Sequence, residues 1–237
     1  MRISKIAPDA NERARSVLES IHATVDIDAK WGKSLSPDED EIRRFILTEF
    51  PSLGRVPTME EIKEGLGLTT TDVSQSLETL NELDIIYMKD DRILGAYPFS
   101  SEPTPYLVTF KGREKRRAYA LCAIDALGIP FMFGEDVDIE SSCAHCSGKI
   151  KIKVEDGRII ECEPKEALVW IGLKYSCHAA TSLCTSLIFF QSEEHLLEWR
   201  AENPSEDGEA LTLSEALYVG KELFEARLGL AHSSTGT

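Results

Sequence analysis

All six cysteines, at positions 122, 143, 146, 162, 177 and 184, fall in the second half of the chain. One of them stands in AYALCAIDALGIP, residues 118–130, three positions before Asp125. Read as an apolar, alanine-rich helix, this stretch puts the Cys122 thiol and the Asp125 carboxylate on one face. A carboxylate is costly to bury without compensation, and near a helix C-terminus its charge opposes the helix dipole. Cys122 alone fits a buried core thiol, a common fate of free cysteine. Asp125 does not fit, and it marks the pair as a candidate site. Cys184, in LCTSLIFF, taken by itself reads as a buried strand cysteine.

The stretch CAHCSG holds Cys143 and Cys146 at C-x-x-C spacing, which suits zinc or a redox dithiol. A structural zinc takes four ligands, and the chain has no second C-x-x-C. Cys162, Cys177, His145 and His178 could complete a site only by assembly from separate strands. A thioredoxin-type motif opens a helix, whereas this one precedes a hairpin. His22 and His195 read as solvated residues of surface helices, and GREKRR as a solvated helix start. No G-x-S-x-G, H-E-x-x-H, P-loop or G-x-G-x-x-G is present.

Positioning these residues falls to a chain of ordinary globular composition, with 237 residues and 42% hydrophobic content. Its formal net charge of −15 disfavours nucleic acid and anionic membrane as partners. MRISKIAPDANERARSVL has no apolar signal region, and no apolar run is long enough to cross a membrane. A cytoplasmic protein with reduced cysteines is expected. Helical periodicity marks residues 9–30, a helix after Pro37, a short helix boxed by Thr58 and Glu61, and another over 70–83. DIIYMKDDRILGAYPF reads as a hairpin turning at Asp90 and Asp91. Three helices and a hairpin make a winged-helix pattern, but the helix over 70–83 carries Asp72, Glu78 and Glu82 and no basic residue. Such a helix is repelled by a phosphate-lined groove, so a packing module is the preferred reading.

Residues 104–112 then read as a strand, REKRRAYALCAIDALG as a helix ended by Gly128 and Pro130, and SGKIKIKVEDGRIIECEP as a hairpin. EALVWIGL and SLCTSLIFF read as further strands, the latter central. Ser192 and Ser214 are expected to cap two closing helices, and AHSSTGT to be disordered.

RRAYALCAIDALGIPFMFG resembles the signature helix of the organomercurial, or alkylmercury, lyases. In that family a C-A-x-D helix supplies one catalytic cysteine and the catalytic aspartate. A strand shortly before a Phe-Phe pair and an acidic-capped helix supplies the second cysteine, and SLCTSLIFFQSEEHLLEW matches that segment. LTLSEALYVGKEL resembles the family's C-terminal element. The likeness spans about residues 39–228. Thr185 stands where some members have a further cysteine, and Cys143, Cys146 and Cys177 add thiols around the hairpin.

The resemblance implies an α+β fold: a winged-helix-like helical bundle followed by a mostly antiparallel β core with flanking helices. The expected divisions are an extension over 1–37, the winged-helix-like part over 38–103, a catalytic part over 104–230 and a tail over 231–237. It implies protonolysis of R–Hg⁺ to R–H and Hg²⁺, with Cys122 and Cys184 as soft thiolate ligands for mercury and Asp125 as proton carrier. Mercury is substrate and product, and no cofactor is required. Low-molecular-weight thiols and a mercuric reductase are the implied acceptors. Zinc at Cys143 and Cys146 can coexist with this reading. The competing readings are a soft-metal binding or sensing protein that uses the same cysteines without turnover, and a regulator that places the winged-helix half on DNA.

Overall fold

The computed structural model describes residues 8–228, apart from 28–30, 32–33, 91, 113–115, 177 and 226. Expectations for Asp91, for GREKRR in part, for Cys177 and for the tail lie outside the described residues. Helix α1 (Pro8–Thr24) buries Ala14, Val17 and Ile21. Helix α2 (Pro37–Leu53) starts at Ser36, which forms a capping box with Glu39, and it runs through Pro51 to Gly54. Helix α3 (Met59–Leu66) has the Thr58–Glu61 box read from the sequence. Helix α4 (Thr70–Glu82) is boxed by Thr69 and Asp72. In each box, side chains satisfy N–H groups that the first helical turn leaves without intrahelical partners.

Strands β1 (Ile86–Lys89) and β2 (Arg92–Ala96) form the expected hairpin. They continue, through β3 (Phe99–Ser100), into an eight-stranded antiparallel sheet. Its order is β1-β2-β3-β5-β4-β6-β7-β8, with β4 (Leu107–Phe110), β5 (Arg117–Ala120), β6 (Val137–Ser142), β7 (Lys149–Glu155) and β8 (Arg158–Glu163). The β7–β8 turn places Asp156 and Gly157 at positive φ, as a tight hairpin requires. Phe50 of α2 stacks on Phe99 of β3, with ring centroids 5.0 Å apart, and so joins the helical bundle to the sheet.

One expected helix is split. Residues 117–120 are strand β5, paired to β4 on one side and β3 on the other. Ala118 and Ala120 are buried while Arg117 is exposed, a period of two. Pairing on both edges overrides the helix propensity of alanine. The helix is α5 (Ala123–Phe133); it begins after Cys122 and passes through Gly128 and Pro130 to Gly134. Most of its residues are buried, so it is a core helix rather than an amphipathic one. The Pro130 carbonyl accepts from the N–H groups of Gly134 and Glu135, which closes the C-terminus.

A second, three-stranded sheet has the order β10-β9-β11, with β9 (Leu168–Gly172), β10 (Leu187–Phe190) and β11 (Gly208–Thr212). SLCTSLIFF is therefore an edge strand entered through a 3₁₀ turn at Cys184–Ser186, not a central strand containing the cysteine. Ser192 caps α6 (Glu193–Glu202) as expected. Helix α7 (Leu213–Phe224) is capped by Thr212 rather than Ser214, with Glu215 completing the box. Among the described residues, no helix is long and apolar enough to cross a membrane.

Helices α5 and α7 cross at two glycines. A Cβ on Gly220 would lie 3.0 Å from the Gly128 nitrogen, and a Cβ on Gly128 would run into the buried Phe224 ring. Overpacking of this kind costs about 1–3 kcal/mol. Gly128→Val is expected to lower stability by that amount, and Gly128→Ala by less, as read from urea midpoints at unchanged slope.

Candidate functional site

Strand β5 ends at Ala120, and Leu121 bonds back to the Pro98 carbonyl at 3.0 Å. The chain then turns into α5, with Cys122 as the N-cap in extended conformation. In place of the usual Ser, Thr, Asp or Asn, a thiol takes the capping role. The Asp125 N–H donates to Cys122 Sγ at 3.3 Å. Asp125 thus occupies the first turn of the helix, not the last, and the helix dipole favours its charge there.

Cys184 comes from 59 residues beyond Asp125, on the 3₁₀ turn before β10. That turn is tightly held. Ser186 Oγ donates to the Leu183 carbonyl at 3.1 Å, and the Tyr106 hydroxyl reaches the Leu187 carbonyl at 3.4 Å. Upstream, Asp84 at the end of α4 accepts from the Ala179 N–H at 3.0 Å and the Tyr175 hydroxyl at 3.1 Å. His178 Nδ1 lies 3.3 Å from the same carboxylate. The helical bundle therefore anchors the segment that delivers Cys184.

The result is convergence. One ligand atom each from Cys122, Asp125 and Cys184 lies within 4.8 Å of the others. Cys184 Sγ is 3.7 Å from Asp125 Oδ2. Cys122 and Asp125 are 0% exposed and Cys184 1%. Burial, followed by the hydrogen bond with Cys184 and the Asp125 charge, pushes the Cys122 thiol well above its ordinary range. Burial likewise raises Tyr97 and Tyr106, beside the same three groups. Cys184 alone of the three lines a cleft of about 520 Å³, whose walls include Tyr87, Leu94, Tyr106, Leu121 and Ile188. This cleft, lined mostly by apolar surface, gives an approach to the Cys184 sulfur, with Cys122 and Asp125 buried behind it.

The sequence reading missed a second convergence. Cys143 and Cys146 occupy the β6–β7 turn, and His195 sits in the first turn of α6 with its Nδ1 3.6 Å and 3.5 Å from the two sulfurs. His195 is half-buried, not a solvated surface residue. The C-x-x-C pattern named two of these residues, but nothing in the sequence spacing joins them to a histidine 49 positions on. Burial opposes ionisation of Cys143. Backbone N–H groups of Cys146, Gln191 and His145, with His195, outweigh it and bring the thiol below its ordinary value. Cys162 lies apart on β8, pushed up to about 11 by burial and by the nearby Glu166 and Glu163.

A family model described as MerB, alkylmercury lyase, matches residues 99–225. An alkylmercury lyase from Bacillus cereus is 28% identical over 169 residues, 71% of this chain and 74% of that one. One from Streptomyces lividans is 26% identical over 183 residues, 77% of this chain and 81% of that one. The crystal structure of the mercury-bound form of MerB2 superposes with a TM-score of 0.67 at 25% identity, covering 90% of this chain and all of that one. The mixed helical and antiparallel-sheet fold, with its thiol-rich centre, is that of a lyase acting on a soft-metal compound. The chain belongs to the alkylmercury lyase family, enzymes of carbon–mercury bond cleavage.

The raised Cys122 thiol has a consequence for stability. The unfolded chain releases this proton near the ordinary cysteine value of about 8.5, while the folded chain retains it. Its contribution is therefore fully present below that value and is lost as pH rises toward the folded-state value. Urea midpoints measured between about pH 7 and about pH 9.5 should decline for the native chain and decline less steeply for Cys122→Ala.

Proposed function

We propose that the protein cleaves organomercurials by protonolysis, with Cys122 and Cys184 binding mercury and Asp125 carrying the proton. The observation that carries this reading is the burial of the three groups within 4.8 Å of one another. Thiolates are the softest ligands a protein offers to a soft cation.

Cys184 lines the cleft and Cys122 does not, so Cys184 meets the substrate first. An organomercurial delivered as its thiolate, R–Hg–SR′, exchanges with the Cys184 thiol. The Cys184 proton leaves on the displaced R′SH, and a Cys184–Hg–R adduct remains. Cys122 then adds to the same mercury while its proton passes to the Asp125 carboxylate. Two sulfurs now push electron density onto the carbon. Asp125 returns the proton to that carbon, the Hg–C bond breaks, and R–H departs. Asp125 is again a carboxylate, and Hg²⁺ stays bridged by Cys184 and Cys122. Two external thiols, or a reductase presenting a thiol pair, then take the metal and reprotonate the cysteines. Burial of the three groups limits water around them, which strengthens the charge interactions at the step that needs them.

Both thiols must stay reduced, which suits the cytoplasm. In this reading the helices α2–α4 and the β1–β2 hairpin are a winged-helix-like packing module. Its task is to hold the Cys184 segment through Asp84, not to bind nucleic acid.

The test uses a phenylmercury salt with excess thiol and measures benzene. Cys122→Ser and Cys184→Ala should each abolish release. Asp125→Ala should still take up the organomercurial but lose about 10²–10⁴-fold in rate, the range for a general acid. Stoichiometric mercury uptake by the native chain with no benzene would favour the sequestering alternative.

A further inference from the structure

We infer that Cys143, Cys146 and His195 form a zinc site, separate from the Cys122–Cys184 centre, that braces one wall of the cleft. The three ligand atoms lie within 4.8 Å of one another. The two sulfur-to-nitrogen separations are 3.6 Å and 3.5 Å. Tetrahedral zinc with ordinary Zn–S and Zn–N bond lengths sets that separation at about 3.6 Å. Hydrogen bonding does not explain the arrangement as well. A single imidazole nitrogen in plane with one proton or one lone pair can serve one sulfur at a time, whereas a cation placed between the three serves all of them.

The backbone around the sulfurs is arranged for thiolates. The Gly148 N–H donates to Cys146 Sγ at 3.4 Å and the Gln191 N–H to Cys143 Sγ at 3.5 Å. The Cys143 N–H bonds the Gly148 carbonyl at 2.8 Å and the Ser147 N–H the Cys143 carbonyl at 2.9 Å, with Ser147 at φ +59°. This knuckle aims both sulfurs to one side. The His195 N–H is capped by Ser192 at 3.3 Å, which fixes the first turn of α6 above them. The Gln191 Nε2 group donates to the Lys149 carbonyl at 2.9 Å, and its Oε1 accepts from the Cys146 thiol at 3.4 Å. The fourth position is left to water on the exposed Cys146 side.

The site joins elements distant in sequence: the end of β6, the β6–β7 turn and the start of α6. Ser142 and Ala144, the neighbours of Cys143, line the same cleft as Cys184. The Ala144 N–H bonds the Phe189 carbonyl of β10 at 2.9 Å. Zinc here ties that wall to the strand that follows Cys184. The role is structural, and it stands whether or not the chain turns over organomercurials.

The experiment is metal analysis of the full chain purified without chelator, with cobalt substitution of chelated protein. The expected result is about one zinc per chain, and a cobalt spectrum with thiolate charge-transfer bands and tetrahedral intensity. Cys146→Ser and His195→Ala should each cut zinc content about tenfold or more, while Cys122→Ser leaves it unchanged. Since Cys146 is exposed and His195 half-buried, circular dichroism should show both variants folded. A native chain with no zinc and no tetrahedral cobalt spectrum overturns the inference. So does zinc that survives in Cys146→Ser and disappears in Cys122→Ser, or a Cys143–Cys146 disulfide in reductant-free protein. Benzene release by a native chain that binds neither zinc nor tetrahedral cobalt would leave the lyase reading intact while the zinc inference falls.

Discussion

An aspartate with no exposed surface, in the first turn of a core helix, sets the terms for everything around it. Isolated in an apolar interior, an ionised carboxylate would be neutralised by a shift of its pKa or destabilise the fold by several kcal/mol. Asp125 is supported instead by position. The N-terminus of α5 supplies a partial positive charge, and two thiols supply polarisable neighbours within 4.8 Å. The same arrangement holds the proton inventory of the site. Burial pushes Cys122 toward the neutral thiol.

From this constraint the topology follows. Strand β5 must stop at Ala120 so that Cys122 can cap α5, and β3 and β4 must flank it so that the corner is rigid. Helix α5 then has to be apolar nearly all round, and Gly128 lets it seat against Phe224 of α7. Cys184 must come from elsewhere, because a helix cap and its first turn cannot supply a second sulfur opposite the carboxylate. It arrives on the second sheet, and Asp84 fixes its approach from the helical bundle. Three distant parts of the chain thus share one site, which makes the helical bundle part of the site's scaffold.

Much of this was legible in residue types. The capping box at Thr58, the β7–β8 turn and the Ser192 cap depend on local hydrogen bonds, and local sequence specifies them. Cys122, Asp125 and Cys184 stood out through chemistry and family likeness. The path of the chain through Cys122 did not. Alanine-rich RAYA has helical propensity and becomes a strand because β3 and β4 claim both its edges. That error also reversed the meaning of Asp125, from a charge at the wrong end of a helix to one at the favoured end. His195 was missed for a similar reason: its partners lie across a turn and a strand, and a histidine in a polar helix carries no sign of them. Thr212 replaced Ser214 as a cap because it ends β11 and closes a capping box with Glu215, which starts the helix two residues earlier.

Two sulfur clusters in one mercury-handling chain raise a question of selectivity, and their environments answer it. The Cys143–Cys146–His195 cluster combines two thiolates with an imidazole and has N–H donors spread over both sulfurs. That is a borderline-soft, tetrahedral donor set suited to zinc. The Cys122–Cys184 centre has no imidazole. Its third group is a carboxylate, a hard ligand that adds little to a soft cation but can carry a proton. A metal that prefers two sulfurs in a dry site gains most at this centre, whereas zinc would lose its nitrogen ligand and most of its solvation there. On these two proposals, the chemistry of donor sets would separate a permanent zinc from a transient substrate. Zinc held at Cys143, Cys146 and His195 would also stiffen the cleft wall that Ser142 and Ala144 form.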